Sequence, residues 1–299
     1  MSVILQTHDL RRRFGRTDAL NGVDLTIEEG SVFGLVGPNG AGKTTLVKTL
    51  MNIIEPSGGR AEVLGTDSRR LGPAEFQQIG YVSENQEMPE WMTVEYLMKY
   101  LEPFYPRWDS ARANELLDQF ELPRDRQLKH LSRGMRMKAA LASSLAYRPK
   151  VLVLDEPFSG LDPLVREEFV EGLVDVAGET TMLISSHDLG EIESFATHVG
   201  FLDRGQLRFA ESLTDLSERF REVEVTVASA PSLPHEWPAH WLRVETSPAV
   251  VRFIDSQFDR EHTVSAVRRL LGEGAQIDTT AMSLRAIFIA LARQARKAA

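Results

Sequence analysis

The chain contains no cysteine. Disulfides, thiolate zinc sites and cysteine nucleophiles are therefore excluded together, and the composition suits a reducing compartment. Long hydrophobic runs are missing too. The longest apolar stretches, such as residues 286–292, fall far short of the roughly 20 residues that a membrane-spanning helix needs. The opening segment lacks the apolar run and small-residue cleavage site of a secretory signal, and it is expected to be a first strand. An excess of positive charge is also absent: 34 Lys and Arg stand against 43 Asp and Glu, a formal net charge of −9. A balance of that sign repels nucleic-acid phosphates and anionic lipid, so no nucleic acid is expected as a partner.

What remains is 299 residues with a hydrophobic fraction of 42%, enough for about two domains of ordinary size. Val3 to Leu5 and Val23 to Ile27 are strand-length apolar pieces, with Gly15 and the pair Asn21-Gly22 expected to turn the chain between them. Val32 to Val36 is a continuous apolar run that suits a buried strand; a glycine-rich loop and a helix-like stretch, Thr44 to Ile54, follow it. Thr93 to Phe120 and Met135 to Ala146 carry Leu, Ala, Met and Glu at helical spacing, so a helical insert of about residues 88–147 interrupts the sheet. Val151 to Leu154, Thr180 to Ser185 and His198 to Leu202 resume as strands, with a helix over Val165 to Val176. Alternating strand and helix predicts a mostly parallel α/β sheet over residues 1–215.

Residues 216–299 read as a smaller α+β unit. Strands are expected at Val223 to Val227, Trp241 to Glu245, Val250 to Ile254 and Ala275 to Thr279, with helices at Thr263 to Leu271 and Ser283 to Lys297. A Pro-containing loop, Ala230 to Pro238, joins the first two strands. Within it, His235 and His240 do not make a metal site, because they stand five apart and Pro238 breaks the helix that would align them. The basic end, Arg293 to Lys297, reads as a solvated helix face.

The chemistry concentrates in one loop. Gly37, Pro38, Asn39, Gly40, Ala41, Gly42, Lys43, Thr44 and Thr45 satisfy G-x-x-x-x-G-K-[ST], between a buried strand and a helix as the mechanism requires. Gly37, Gly40 and Gly42 let backbone N–H groups approach phosphates, and the helix that follows favours negative charge at its start. Lys43 would neutralise the β and γ phosphates, Thr44 would offer its hydroxyl to Mg²⁺, and Thr45 would add a hydroxyl on the α-phosphate side. These residues imply a nucleoside triphosphate. Asp155 and Glu156 end a buried strand, the edge that faces the ligand crevice of an open α/β sheet. One carboxylate for Mg²⁺ and one for the attacking water is what triphosphate hydrolysis asks of a protein.

Four further motifs then follow in one order. Leu131 to Met135 reads LSRGM, Ser159 to Pro163 reads SGLDP, Ile184 to His187 reads ISSH, and Ile79 to Glu84 reads IGYVSE. Together with the phosphate loop, over about residues 3–215, they resemble the nucleotide-binding domain of the ABC transporter ATPase family. The resemblance implies a P-loop NTPase fold of the ABC type, α/β, with a mixed sheet core, a helical subdomain and here a small C-terminal α+β domain. It implies that two such domains sandwich ATP and Mg²⁺, as a homodimer or with a related subunit. Ser132 and the N–H of Gly134 would contact the facing copy's γ phosphate. Glu156 would act on the attacking water, His187 on the γ phosphate, and Phe14 would stack on adenine. Ser159 and Asp162 would lie at the dimer interface, with Ser132. Trp91, just beyond the Glu84 segment, falls where the family receives a short helix from an integral membrane permease.

Departures from the family pattern are local. Glu84 stands where glutamine is usual, with Gln86 two residues on, so either side chain is a candidate Mg²⁺ ligand beside Thr44 and Asp155. Arg133 and Met135 replace a glycine and a glutamine of the signature, which would bring a guanidinium toward the facing nucleotide. The LSRGM variant and the tail Met282 to Phe288 resemble the ATPases of multidrug or antibiotic exporters. The expectation is therefore an exporter's ATPase, cytoplasmic and peripheral on the inner face of the membrane through its permease. A DNA or ribosome enzyme of the same family is the competing reading, disfavoured by the single phosphate loop and the lack of heptads. A low-turnover nucleotide-gated regulator is the third.

Overall fold

The strands build two sheets in the first of two compact units, Met1–Ala210 and Glu211–Ala299. The computed structural model describes residues 2–227, 234 and 236–297. In the first unit, β1 (Val3–Phe14) and β2 (Thr17–Glu28) form an antiparallel hairpin that turns at Gly15. The pair Asn21-Gly22 is not a turn, which corrects the reading of the sequence. Both residues lie inside β2, where Gly22, at φ +75°, is the extra residue of a bulge between the pairs Leu10–Val23 and Arg11–Asn21.

β3 (Val32–Val36) is buried at every residue, as its continuous apolar run demands, and it delivers the chain to α1 (Lys43–Leu50). β4 (Gly58–Val63) and β5 (Thr66–Asp67) then join the hairpin in a sheet ordered β2-β1-β4-β5. After the short α2 (Pro73–Phe76), β6 (Ile79–Ser83) leads into the helical insert of α3 (Val94–Leu101), α4 (Ser110–Gln119) and α5 (Arg133–Leu145). Pro103 and Pro106 keep α3 and α4 from merging. Thr93, Asp109 and Ser132 cap the three helices by accepting from the N–H groups of Tyr96, Arg112 and Met135.

The chain returns through β7 (Val151–Asp155), α6 (Pro163–Val174), β8 (Thr181–Ser186), β9 (His198–Asp203) and β10 (Gln206–Ser212). These strands and the earlier β3 and β6 form a six-stranded sheet ordered β10-β9-β3-β8-β7-β6, parallel from β9 through β6. Its register positions the chemistry. Val36 sits opposite Ser186, Ser185 opposite Asp155, and Asp155 opposite Ser83, so the segments beginning at Gly37, Glu84, Glu156 and His187 leave one edge of the sheet side by side. α1 is clamped between the two sheets, with Leu46, Val47 and Leu50 packed among Leu10, Val23, Leu35 and Val153. Each such side chain contributes about 1.5–3 kcal/mol of burial, which fixes the start of α1 where it must meet a ligand.

The second unit comprises α7 (Leu213–Arg219), β11 (Arg221–Thr226), β12 (Trp241–Thr246), β13 (Val250–Asp255), α8 (Arg260–Leu271), β14 (Gln276–Ala281) and α9 (Leu284–Lys297). Its sheet is antiparallel and ordered β12-β13-β11-β14. Val223, Val251, Phe253 and Val267 fill its core, where the Trp241 ring stacks on Phe253 with centroids 3.9 Å apart. Most of the expected loop 230–238, including His235, and the side chains of residues 295–297 in the basic end lie outside the described residues.

Candidate functional site

Gly42 precedes α1 at φ +108°, and a Cβ there would fall 2.5 Å from the Ala19 carbonyl oxygen, so only glycine lets the loop close onto the sheet. No side chain caps α1, which leaves its first N–H groups available to an anion. The loop is braced from outside: Gly37 N–H donates to Ser186 O at 3.3 Å and Gly205 N–H to Ala41 O at 2.8 Å. Lys43 is buried and aimed back across the loop, donating to Gly37 O at 2.7 Å and pairing with Glu156 at 2.9 Å. Asn39 and Gly40 are exposed at the loop tip, and Thr45 is partly buried on the first turn of α1.

Asp155 and Glu156 are adjacent in sequence but meet opposite environments. Asp155 is 5% exposed and accepts from Ser185 Oγ at 2.7 Å and Thr44 Oγ1 at 3.1 Å. Burial pushes its carboxyl above the usual range against those two hydrogen bonds. Glu156 takes a left-handed backbone conformation, φ +52°, held by its N–H to Ser185 Oγ at 2.9 Å. This turn throws its side chain the other way, into the cleft. Burial raises its carboxyl too, but hydrogen bonds to His187 and Lys43 outweigh that and leave it below the ordinary glutamate range. His187 is raised in turn, chiefly by its hydrogen bond to Glu156, and its loop is pinned where Asp188 N–H donates to Ser186 Oγ at 2.9 Å.

The result is a cleft of about 560 Å³ lined by Lys43, Thr44, Glu84, Glu156, Ser159 and His187. A cation at the loop, a negatively charged base and a histidine in one cleft can bind a polyphosphate and activate a water against it. Thr44 and Asp155 offer hard oxygen donors of the kind Mg²⁺ takes. No group of three or more His, Asp or Glu among the described residues could hold a metal by itself. Such an ion would therefore be shared between one or two protein oxygens and substrate phosphates, the usual Mg²⁺ arrangement.

The other expected positions are distributed around this cleft. Glu84 lines it, but its carboxylate is engaged by Arg133 and by Ser159 Oγ at 2.8 Å rather than by Thr44 or Asp155. The Gln86 side chain, beyond the end of β6, accepts from the N–H of Ser83, the last residue of that strand, at 3.3 Å. Phe14, Ser132 and Gly134 are not among the residues lining the cleft. Phe14 is exposed at the end of β1 with the Arg12 guanidinium 4.5 Å above its ring. Ser132 is exposed and caps α5; Gly134 lies under α6, where a Cβ would come 2.7 Å from Val165. Asp162 caps α6 through Val165 N–H at 3.1 Å. Sequence reasoning missed Ser185, whose hydroxyl joins Asp155 to Glu156; a small polar residue inside an apolar strand was the available signal.

Beyond Glu84 a second groove, about 780 Å³, runs along Glu87, Met88, Glu90, Leu131 and Arg136. Trp91 at its neighbourhood is 62% exposed, with Tyr96 and Tyr100 of α3 and Phe104 just beyond it also exposed. An uncovered aromatic row of that size suits a protein partner.

A family model described as ABC transporter matches residues 20–159. The ABC transporter ATP-binding protein YtrB of Bacillus subtilis is 32% identical over 224 residues, 74% of this chain and 76% of the relative. The daunorubicin resistance ATP-binding protein DrrA2 of Streptomyces coeruleorubidus is 36% identical over 233 residues, 75% of this chain and 72% of the relative. Among solved structures, the ATP-binding subunit of an ABC transporter superposes with a TM-score of 0.66 at 25% identity, covering 72% of this chain and 92% of that one. The ADP conformation of an ATP-binding cassette of an ABC transporter gives 0.61 at 25% identity, covering 71% and 92%.

Proposed function

The chain belongs to the ABC transporter ATP-binding protein family, and from that membership we propose that it is the ATPase of an exporter, working as a dimer beneath a separate transmembrane permease. It binds ATP and hydrolyses it as an ABC transporter subunit. The observation that carries the detailed reading is the strand register that delivers Lys43, Glu156 and His187 into one cleft.

The phosphates of ATP lie against the loop from Gly37 to Thr45, whose N–H groups face the β phosphate while Lys43 leaves the Gly37 carbonyl to reach the γ phosphate. Thr44 and Asp155 would hold Mg²⁺, which would supply positive charge against the phosphates. Glu156, kept ionised by Lys43 and His187, takes the proton of the attacking water. His187 holds the γ phosphate in line. Ser132 and the Gly134 N–H of a second copy close over the same phosphate, with Ser159 and Asp162 at the shared interface. Phe14 stacks on adenine once Arg12 yields its face.

Export is supported by the daunorubicin and doxorubicin resistance in the relatives' names. The permease docks in the groove beside Trp91, so the protein sits on the cytoplasmic face of the membrane. No helix among the described residues is long and apolar enough to cross a membrane. The testing experiment uses Glu156→Gln with Mg·ATP: hydrolysis is expected to fall at least a hundredfold while a dimer accumulates on size-exclusion chromatography. Wild-type hydrolysis in that variant removes Glu156 as base; a monomer at all concentrations removes the sandwich. Co-purification from gently solubilised membranes with an integral membrane protein tests the permease.

A further inference from the structure

Two of the three positions that depart from the family pattern, Glu84 and Arg133, are brought together by the structure. Arg133, the first residue of α5, forms an ion pair with Glu84, immediately after β6, and the same Glu84 oxygen accepts from Ser159 Oγ at 2.8 Å. Glu84 is anchored underneath by its N–H, which donates to Asp155 O at 3.0 Å. Arg133 is seated as well. Its guanidinium lies over Gly160, where a Cβ would fall 2.9 Å from Nη1, and Gly160 sits at φ +67°, which favours glycine there. Three segments, the signature, the β6 exit and the β7–α6 loop, therefore meet at one carboxylate.

Glu84 also lines the triphosphate cleft beside Lys43 and Glu156. A bare carboxylate there opposes a polyanion by direct Coulomb repulsion, and a paired one does not. We propose that Arg133 is a positioning residue for ATP uptake: it neutralises Glu84 and holds that carboxylate on Ser159, so that two unusual charges act as one neutral element. The inference rests on the ATP reading above and adds to it a function for the signature in its own chain's site. It differs from the expectation that Arg133 reaches the facing nucleotide, because the guanidinium is committed to its own chain.

The pair predicts a rescue that a contact to phosphate does not. Four proteins are compared, the wild type, Arg133→Met, Glu84→Gln and the double variant, by titration with a fluorescent ATP analogue, with Mg²⁺ and with a chelator, alongside KM and kcat. Arg133→Met is expected to raise the dissociation constant and KM about three- to fivefold, the upper reach of a half-exposed ion pair, with kcat within twofold. The double variant binds the analogue more tightly than Arg133→Met, recovering most of the lost affinity, and the loss in Arg133→Met shrinks as salt screens Glu84. Equal weakness of Arg133→Met and the double variant overturns the proposal, since Arg133 then touches phosphate itself. Tighter Mg·ATP binding by Arg133→Met overturns it too, because a freed Glu84 would be a metal ligand. A change confined to kcat does the same. Failure of the wild type to bind the analogue sinks the ATP reading and this proposal together, whereas a binding wild type with additive variants sinks the proposal alone.

Discussion

His187 Nδ1 lies 3.0 Å from Glu156 Oε2, and Lys43 Nζ holds the other oxygen of that carboxylate at 2.9 Å. One carboxylate thus answers an ammonium and an imidazole, which together hold it below the ordinary glutamate range although it is only 14% exposed. The hydrogen bond that Glu156 accepts from His187 is the main cause of the raised His187 and, working against burial, the largest cause of the lowered Glu156.

The first prediction concerns pH. Because folding raises His187, its contribution to stability is fully present below the ordinary histidine value of about 6.5 and is lost as pH rises through the raised folded value. Because folding lowers Glu156, its contribution is present above the ordinary glutamate value and is lost as pH falls through the lowered one. Between these limits both groups are charged. In Glu156→Gln the His187 imidazole should titrate at lower pH than in the wild type, read from its ring C–H resonances by NMR. An unmoved midpoint would break the pairing.

How far the sequence reaches is visible in these same residues. The phosphate loop, Asp155, Glu156 and His187 were legible because each chemical role confines a loop to few residue types at fixed offsets from a strand. The outer half of the β1–β2 hairpin was not: Arg11, Arg12 and Arg13 carry no apolar alternation, and the strand there is held by backbone pairing to β2, with Arg11 also opposite Gly58 of β4. β4 itself begins with Gly58-Gly59, a loop-like pair. β10 has no fully buried residue to betray it. The union of Glu84 with Arg133 spans 49 positions, and neither residue belongs to a periodic pattern that would announce it.

A second prediction follows from Lys138, which is 7% exposed on α5 and pairs with Glu168 of α6, itself 32% exposed. Glu168→Ala leaves a buried ammonium with only the Phe120 carbonyl, 3.4 Å away. It should cost about 1–3 kcal/mol, at the low end of buried-pair losses because Glu168 is partly solvated. Lys138→Met removes the charge along with its need for a partner and should cost no more than about 1 kcal/mol. Urea midpoints at constant m-value measure both. Equal losses would mean that Lys138 matters through packing alone.

The third is steric. A Cβ on Gly172 of α6 would fall 2.5 Å from Cζ of Phe120, which is 1% exposed, so α6 meets the end of α4 without room for a methyl group. Alanine normally favours a helix over glycine by about 1 kcal/mol. Here Gly172→Ala should instead destabilise by about 1–3 kcal/mol, because overpacking outweighs propensity. Shrinking the ring with Phe120→Leu in the same chain should recover part of the loss, read from thermal midpoints. A stabilised Gly172→Ala would show that the contact yields freely.

The fourth separates two roles of Asp162, which caps α6 by accepting from Val165 N–H at 3.1 Å and is proposed to lie at the dimer interface. A cap needs an acceptor oxygen and not a charge, so Asp162→Asn should keep stability within about 0.5 kcal/mol while Asp162→Ala loses about 1 kcal/mol. An interface that depends on the carboxylate makes no such distinction: both variants, placed in the Glu156→Gln background with Mg·ATP, should shift the monomer–dimer midpoint to higher protein concentration. Sedimentation across a concentration series reads that midpoint, and urea unfolding reads the cap. Dimerisation retained by Asp162→Asn and lost only with Asp162→Ala would assign the residue to the cap, with its charge idle at the interface.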